Sequence, residues 1–141
     1  MTLVIDASVA FKWFANEPDS NAALKLRSSD PDLIAPELVV SEACNSAWKS
    51  FQRGELTGMQ CEIVAANIAR AFARLVGHAP LATRAMAIAV ELRHPAYDCF
   101  YLALAQREAA VLVTADGRLI GKIKNTSYAA LARHLSTYPA S

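Results

Sequence analysis

The chain has 141 residues, 54% of them hydrophobic, and a formal net charge of +1. That length predicts a single domain over 1–141 with a core of its own, and it excludes two ordinary domains. No window approaches the apolar length needed to span a bilayer, and no secretory pattern opens the chain, so a cytoplasmic protein is expected.

The first element is Thr2–Ser8, Thr-Leu-Val-Ile-Asp-Ala-Ser. Leu3, Val4 and Ile5 run without a polar residue between them, the pattern of a strand buried on both faces in a parallel sheet. Asp6 ends it, and the carboxyl ends of such strands are where open α/β sheets keep their ligands. Ala7–Ala15 reads as a helix, with Ser8 able to accept a backbone N–H at its start. Pro18 and Asp19 end that segment. Asn21–Ser28 is a second helix, Ser29–Asp32 a turn by composition, and Leu33–Ala35, closed by Pro36, a short strand.

Leu38–Arg53 is a helix whose apolar stripe is Val40, Ala43, Cys44, Ala47, Trp48 and Phe51, with Glu42, Asn45 and Lys49 on another face and Gly54 at its end. Thr57–Val76 reads as one longer helix capped by Thr57, and Gly77–Pro80 as a connector. Ala82–Leu92 and Tyr97–Ala109 are further helices. Val111–Thr114 is a second fully apolar strand, running into Ala115 and Asp116. Gly117–Lys124 is a short basic helix. Ala129–Leu135 fits an edge strand, and a helix nearly as well. Strands alternating with helices predict a parallel α/β sandwich. Past Asp116 the chain holds Arg118, Lys122, Lys124 and Arg133 and no acid. Such a tail suits a polyanion about as well as plain solvent. Cys44, Cys61 and Cys99 form no metal-binding or redox pair and read as buried reduced thiols.

Four carboxylates draw attention. Asp6 and Asp116 each close a buried strand, so a parallel sheet brings both to one edge. A helix cap explains either alone, but not the matched pair. Asp98 sits among Tyr97, Cys99, Phe100, Tyr101 and Leu102, where a carboxylate needs a partner. That partner is either functional or the N–H groups and dipole of its own helix. Glu42 by itself fits the wet side of a helix. If all four meet, two like charges about 5 Å apart repel by roughly 3 kcal/mol at an effective dielectric of about 20. Several such pairs rival the stability of a whole domain, about 5–15 kcal/mol. The cluster must then hold protons or bind a cation. Oxygen ligands favour Mg²⁺ or Mn²⁺, and the chemistry such a metal supports with an activated water is phosphodiester hydrolysis.

Ser8 and Thr114 lie two residues from a strand-end acid and read as supporting hydroxyls, not nucleophiles. His94 stands one turn before Asp98, but Pro95 intervenes and the pairing is not expected. His78 and His134 have no metal-ligand spacing, and no glycine-rich phosphate loop is present.

At these acids the chain resembles the PIN-domain ribonucleases, most closely the VapC-type toxins of bacterial toxin–antitoxin pairs. The matching pieces are Val-Ile-Asp-Ala-Ser at Asp6, Val-Val-Ser-Glu-Ala at Glu42, Tyr-Asp-Cys-Phe-Tyr-Leu-Ala-Leu-Ala at Asp98, and Leu-Val-Thr-Ala-Asp at Asp116. The resemblance implies a Rossmann-like three-layer sandwich with a central, mostly parallel sheet. It implies an Mg²⁺- or Mn²⁺-dependent endoribonuclease, with Asp6, Glu42, Asp98 and Asp116 as catalytic and metal-binding residues and Ser8 and Thr114 in support. It further implies a homodimer, an RNA substrate, and a cognate antitoxin that occupies the site and alone contacts DNA. The two long helices from Leu38 match the region such toxins use to grip the antitoxin. Gly117 departs from the pattern, standing where many relatives carry a basic residue. Two other classes compete. A receiver or phosphatase on a similar sheet would phosphorylate a strand-end aspartate, but the paired acids it needs after the first strand are absent. A binding module would use the acids to hold a partner's arginines, and would not respond to Mn²⁺.

Overall fold

A computed structural model describes residues 1–29 and 32–138. Five strands form one sheet: β1 (Thr2–Ile5), β2 (Asp32–Pro36), β3 (Arg74–Val76), β4 (Val111–Thr114) and β5 (Ala132–His134). Their order is β3-β2-β1-β4-β5 and every pairing is parallel. The parallel sheet expected from the sequence is present, and it suits strands this apolar: Leu3, Val4, Ile5, Leu112 and Val113 are entirely buried. Helices cover both sides. α1 (Ala7–Ala10), extended by a 3₁₀ turn over Phe11–Trp13, and α2 (Ser20–Ser28) link β1 to β2. α3 (Leu38–Gln52) and α4 (Gly58–Asn67) link β2 to β3. α5 (Ala82–Leu92) and α6 (Ala96–Arg107) carry the chain back across the sheet, α6 packing on β1, β2 and β4 with α5 against it. α7 (Gly117–Ile123) precedes β5.

The chain winds outward from β1 to β3, then crosses to β4 and winds the other way. The order reverses between β1 and β4, and the crevice beyond that switch point is where open sheets hold ligands. Asp6 follows β1 directly and Asp116 follows β4 after Ala115, so both acids stand at the switch.

Several sequence expectations change. The helix expected over Thr57–Val76 stops at Asn67, whose side-chain amide donates to the Ile63 carbonyl, 2.8 Å away. The rest forms a 3₁₀ turn over Ile68–Ala71 and then β3, because β2 has an open edge that must be hydrogen-bonded. Ala73 N–H donates to Leu33 O and Glu37 N–H to Val76 O, each at 2.8 Å. Thr57 does cap α4, in a reciprocal box with Gln60. The helix start after β1 is capped by Asp6, not Ser8. Ala129–Leu135 divides into a 3₁₀ turn over Ala129–Leu131 and β5. The turn expected at Ser29–Asp32 falls partly on residues 30 and 31, outside those described, and Asp32 already belongs to β2. On α3 the buried face is Leu38, Val39, Ala43, Ala47 and Ser50. Trp48 and Phe51, expected in the core, are 55% and 46% exposed. All three cysteines are free thiols, Cys99 buried and the other two half-buried. Among the described residues no helix is long and apolar enough to cross a membrane.

Candidate active site

Asp6 is only 4% exposed, yet its carboxylate has no shortage of donors. Oδ1 accepts from Ser8 Oγ at 2.6 Å and from the Val9 N–H at 3.2 Å. Oδ2 accepts from Thr114 Oγ1. Each hydroxyl also ties down the loop after β4: Ser8 Oγ accepts from the Ala115 N–H and Thr114 Oγ1 from the Asp116 N–H, both at 3.0 Å. Ser8 and Thr114 therefore lock one carboxylate and join the ends of the two central strands.

Glu42 projects from α3 and accepts from the Tyr101 hydroxyl at 2.6 Å. Tyr101, on α6, is 1% exposed, and no sequence pattern links its ring to Glu42. Asp98, in the first turn of α6, accepts no bond as a cap of its own helix. It pairs instead with His94, Nε2 to Oδ2, at 2.6 Å. The intervening Pro95 makes this contact unexpected from sequence. The proline starts α6 instead of breaking it: a missing N–H costs nothing ahead of the first turn. His94 lies just outside the helix, and its ring reaches along that turn to Asp98. Asp116 caps α7, its Oδ1 accepting from the Arg118 N–H at 2.9 Å.

Asp6, Ser8, Glu42, Asp98, Tyr101 and Asp116 line one cavity of about 510 Å³. Four elements that are distant in sequence thus bring all four predicted acids together. Electrostatics records their proximity. The Asp6 carboxyl is pushed up from the ordinary 3.8 to about 6, by burial above all and also by the charge of Asp98, against the pull of its three donors. Glu42 is raised by burial, then by Asp98 and Asp6, with Tyr101 opposing. Asp98 is raised by burial and by Asp116, with His94 opposing. Burial pushes the neighbouring Cys99 thiol up to about 11, so it is no nucleophile at neutral pH.

Recessed carboxylates that lift one another's proton affinity suit a hard divalent cation. Among the described residues, His94, Asp98 and Asp116 each offer a ligand atom within 4.8 Å of the others. The donor set therefore fits Mg²⁺ or Mn²⁺, with the one nitrogen donor nearer to Mn²⁺ in character.

Comparison with known proteins places the fold in a family. The family model of the PIN domain matches residues 3–124. Ribonuclease VapC3 of Pyrobaculum aerophilum is 30% identical over 124 residues, 86% of this chain and 95% of that protein. Among solved structures, PAE2754 from Pyrobaculum aerophilum superposes with a TM-score of 0.71 at 24% identity, over 97% of this chain and 92% of that one. The toxin VapC20 of Mycobacterium tuberculosis gives 0.67 at 16% identity, over 85% and 94%. A toxin–antitoxin complex from Klebsiella pneumoniae gives 0.65 at 16% identity, over 95% and 98%. The chain belongs to the PIN-domain family, among the VapC-type ribonucleases.

Proposed function

We propose that this chain is a divalent-cation-dependent endoribonuclease, the toxin of a toxin–antitoxin pair, cutting RNA at the cavity of Asp6, Glu42, Asp98 and Asp116. The observation that carries the reading is that these four acids line one recess, where burial raises three of them. Such an arrangement is costly unless a cation is bound. The relatives support the activity: one is named a ribonuclease and another a Sarcin–Ricin loop cleaving toxin.

The four acids would hold Mg²⁺ or Mn²⁺. When bound, such a cation neutralises charge on the phosphate and lowers the pKa of the attacking water. The chain's own residues do the positioning. Ser8 and Thr114 fix Asp6, Tyr101 fixes Glu42, and His94 fixes Asp98. Each carboxylate keeps at least one oxygen turned by a donor, so the ligand set is assembled before any substrate arrives.

The partner in this reading is a cognate antitoxin that blocks the cavity and alone contacts DNA. An apolar groove of about 330 Å³ between α3 and α4, lined by Cys44, Trp48, Phe51, Gly58 and Cys61, suits an apolar segment of it. That groove also accounts for bulky residues left outside the core. The toxin is a homodimer of single domains over 1–141, acting in the cytoplasm. Incubation of the purified protein with structured RNA tests the activity. Cutting in Mg²⁺ or Mn²⁺ is expected, lost with EDTA and lost in Asp6→Asn. Equal cutting by wild type and variant would refute the site.

A further inference from the structure

A second cavity, of about 590 Å³, adjoins the acidic recess and shares Asp98 and Asp116 with it. Beside His94, Pro95 and Gly121, its wall carries three cations: Arg93 from the end of α5, and Arg118 and Lys122 from one face of α7. All three cations are exposed, and none forms a salt bridge among the described residues. Half of the basic tail noted in the sequence thus stands beside the acids.

Charge balance gives this wall a purpose. Four ionised carboxylates exceed the charge of one divalent cation, so a loaded acidic recess still repels a polyanion. Lys49, in the acidic recess, offsets only part of that. Arg93, Arg118 and Lys122 reverse the sign locally, and do so on one side only. The volume lies within the range of small-ligand sites, about 300–1,000 Å³, room for a nucleotide and not for a duplex.

We propose that the cavity walled by Arg93, Arg118 and Lys122 seats a backbone phosphate of the RNA strand next to the bond being cut. This rests on the RNA-hydrolysis reading. Three cations converging beside two shared acids hold the flanking phosphate, and the strand then lies across Asp98 and Asp116. Phosphate contacts of this kind position a strand without reading its bases. Arg118 and Lys122 are four residues apart on a helix and so share a face.

Arg93 offers a clean test. It has a left-handed backbone, φ +52°, at the residue that ends α5, where glycine is favoured. Arg93→Gly removes the cation while easing the backbone, so loss of function cannot be blamed on unfolding. Cleavage of a short single-stranded oligoribonucleotide would be followed from 50 to 300 mM salt for wild type, Arg93→Gly, Lys122→Gln and the double variant. We expect KM to rise about 5- to 20-fold per variant, kcat to stay within about 2-fold, and the salt slope to flatten by about 0.7 per lost cation. Mn²⁺ affinity and melting temperature should match wild type. If wild type cuts RNA and the variants keep its KM and salt slope, the phosphate seat is wrong and the nuclease reading survives. If wild type neither cuts nor binds RNA, both fall together.

Discussion

At the scale of single residues, Asp6 carries the clearest conflict between folding and chemistry. Its carboxyl is buried, and its proton affinity rises to about 6 from 3.8. Without a cation, the folded protein binds a proton there more tightly than the unfolded chain does. Stability from this group is therefore full below about pH 4 and falls as pH rises to 6. Two pKa units correspond to about 3 kcal/mol, an upper bound for one group. Asp6→Asn should then stabilise the cation-free protein by about 1–3 kcal/mol at pH 7.5 and change little at pH 4. Urea melts in EDTA at the two pH values read this directly. A variant less stable than wild type at pH 7.5 would mean that the three donors, not burial, govern Asp6. Ser8 and Thr114 keep that cost bearable, since each bond to an ionised group is worth about 1.5–3 kcal/mol.

At the scale of elements, α3 shows what periodicity reveals and what it hides. Its extent was legible, Leu38–Arg53 expected against Leu38–Gln52 found. Its buried face was legible only in part. Of the expected stripe Val40, Ala43, Cys44, Ala47, Trp48 and Phe51, the core accepts the small Ala43 and Ala47 and leaves the two rings outside. Close packing decides this, and spacing alone carries no information on size. Ala43→Leu should overpack and cost about 1–3 kcal/mol, whereas Trp48→Gln should change stability by about 0.5 kcal/mol or less. Thermal melts of the two variants check the assignment of faces. β3 was hidden for a related reason: Arg74–Val76 becomes a strand only because β2 presents an open edge, a tertiary demand that local sequence does not display. Strands β1 and β4 were legible because both their faces are apolar. The site followed the same division. Asp6 and Asp116 were readable from strand ends, while the links from Tyr101 to Glu42 and from His94 to Asp98 depend on how α6 lies across the sheet.

At the scale of the whole molecule, the reversal of strand order between β1 and β4 creates the crevice, and the helices deliver the remaining acids to it. α3 brings Glu42 from the β2 side, α6 brings Asp98 across the sheet, and α7 begins at Asp116. No two of the four acids share an element, so the recess exists only in the folded chain. Binding a cation there should link folding to metal. Calorimetric titration of Mn²⁺ at pH 7.5 into wild type, Asp6→Asn, Glu42→Gln, Asp98→Asn and Asp116→Asn tests this most directly. Saturable binding to wild type is expected, weakened at least about 10-fold in every variant. Absence of heat with the wild type, or wild-type affinity in Glu42→Gln or Asp98→Asn, would contradict it.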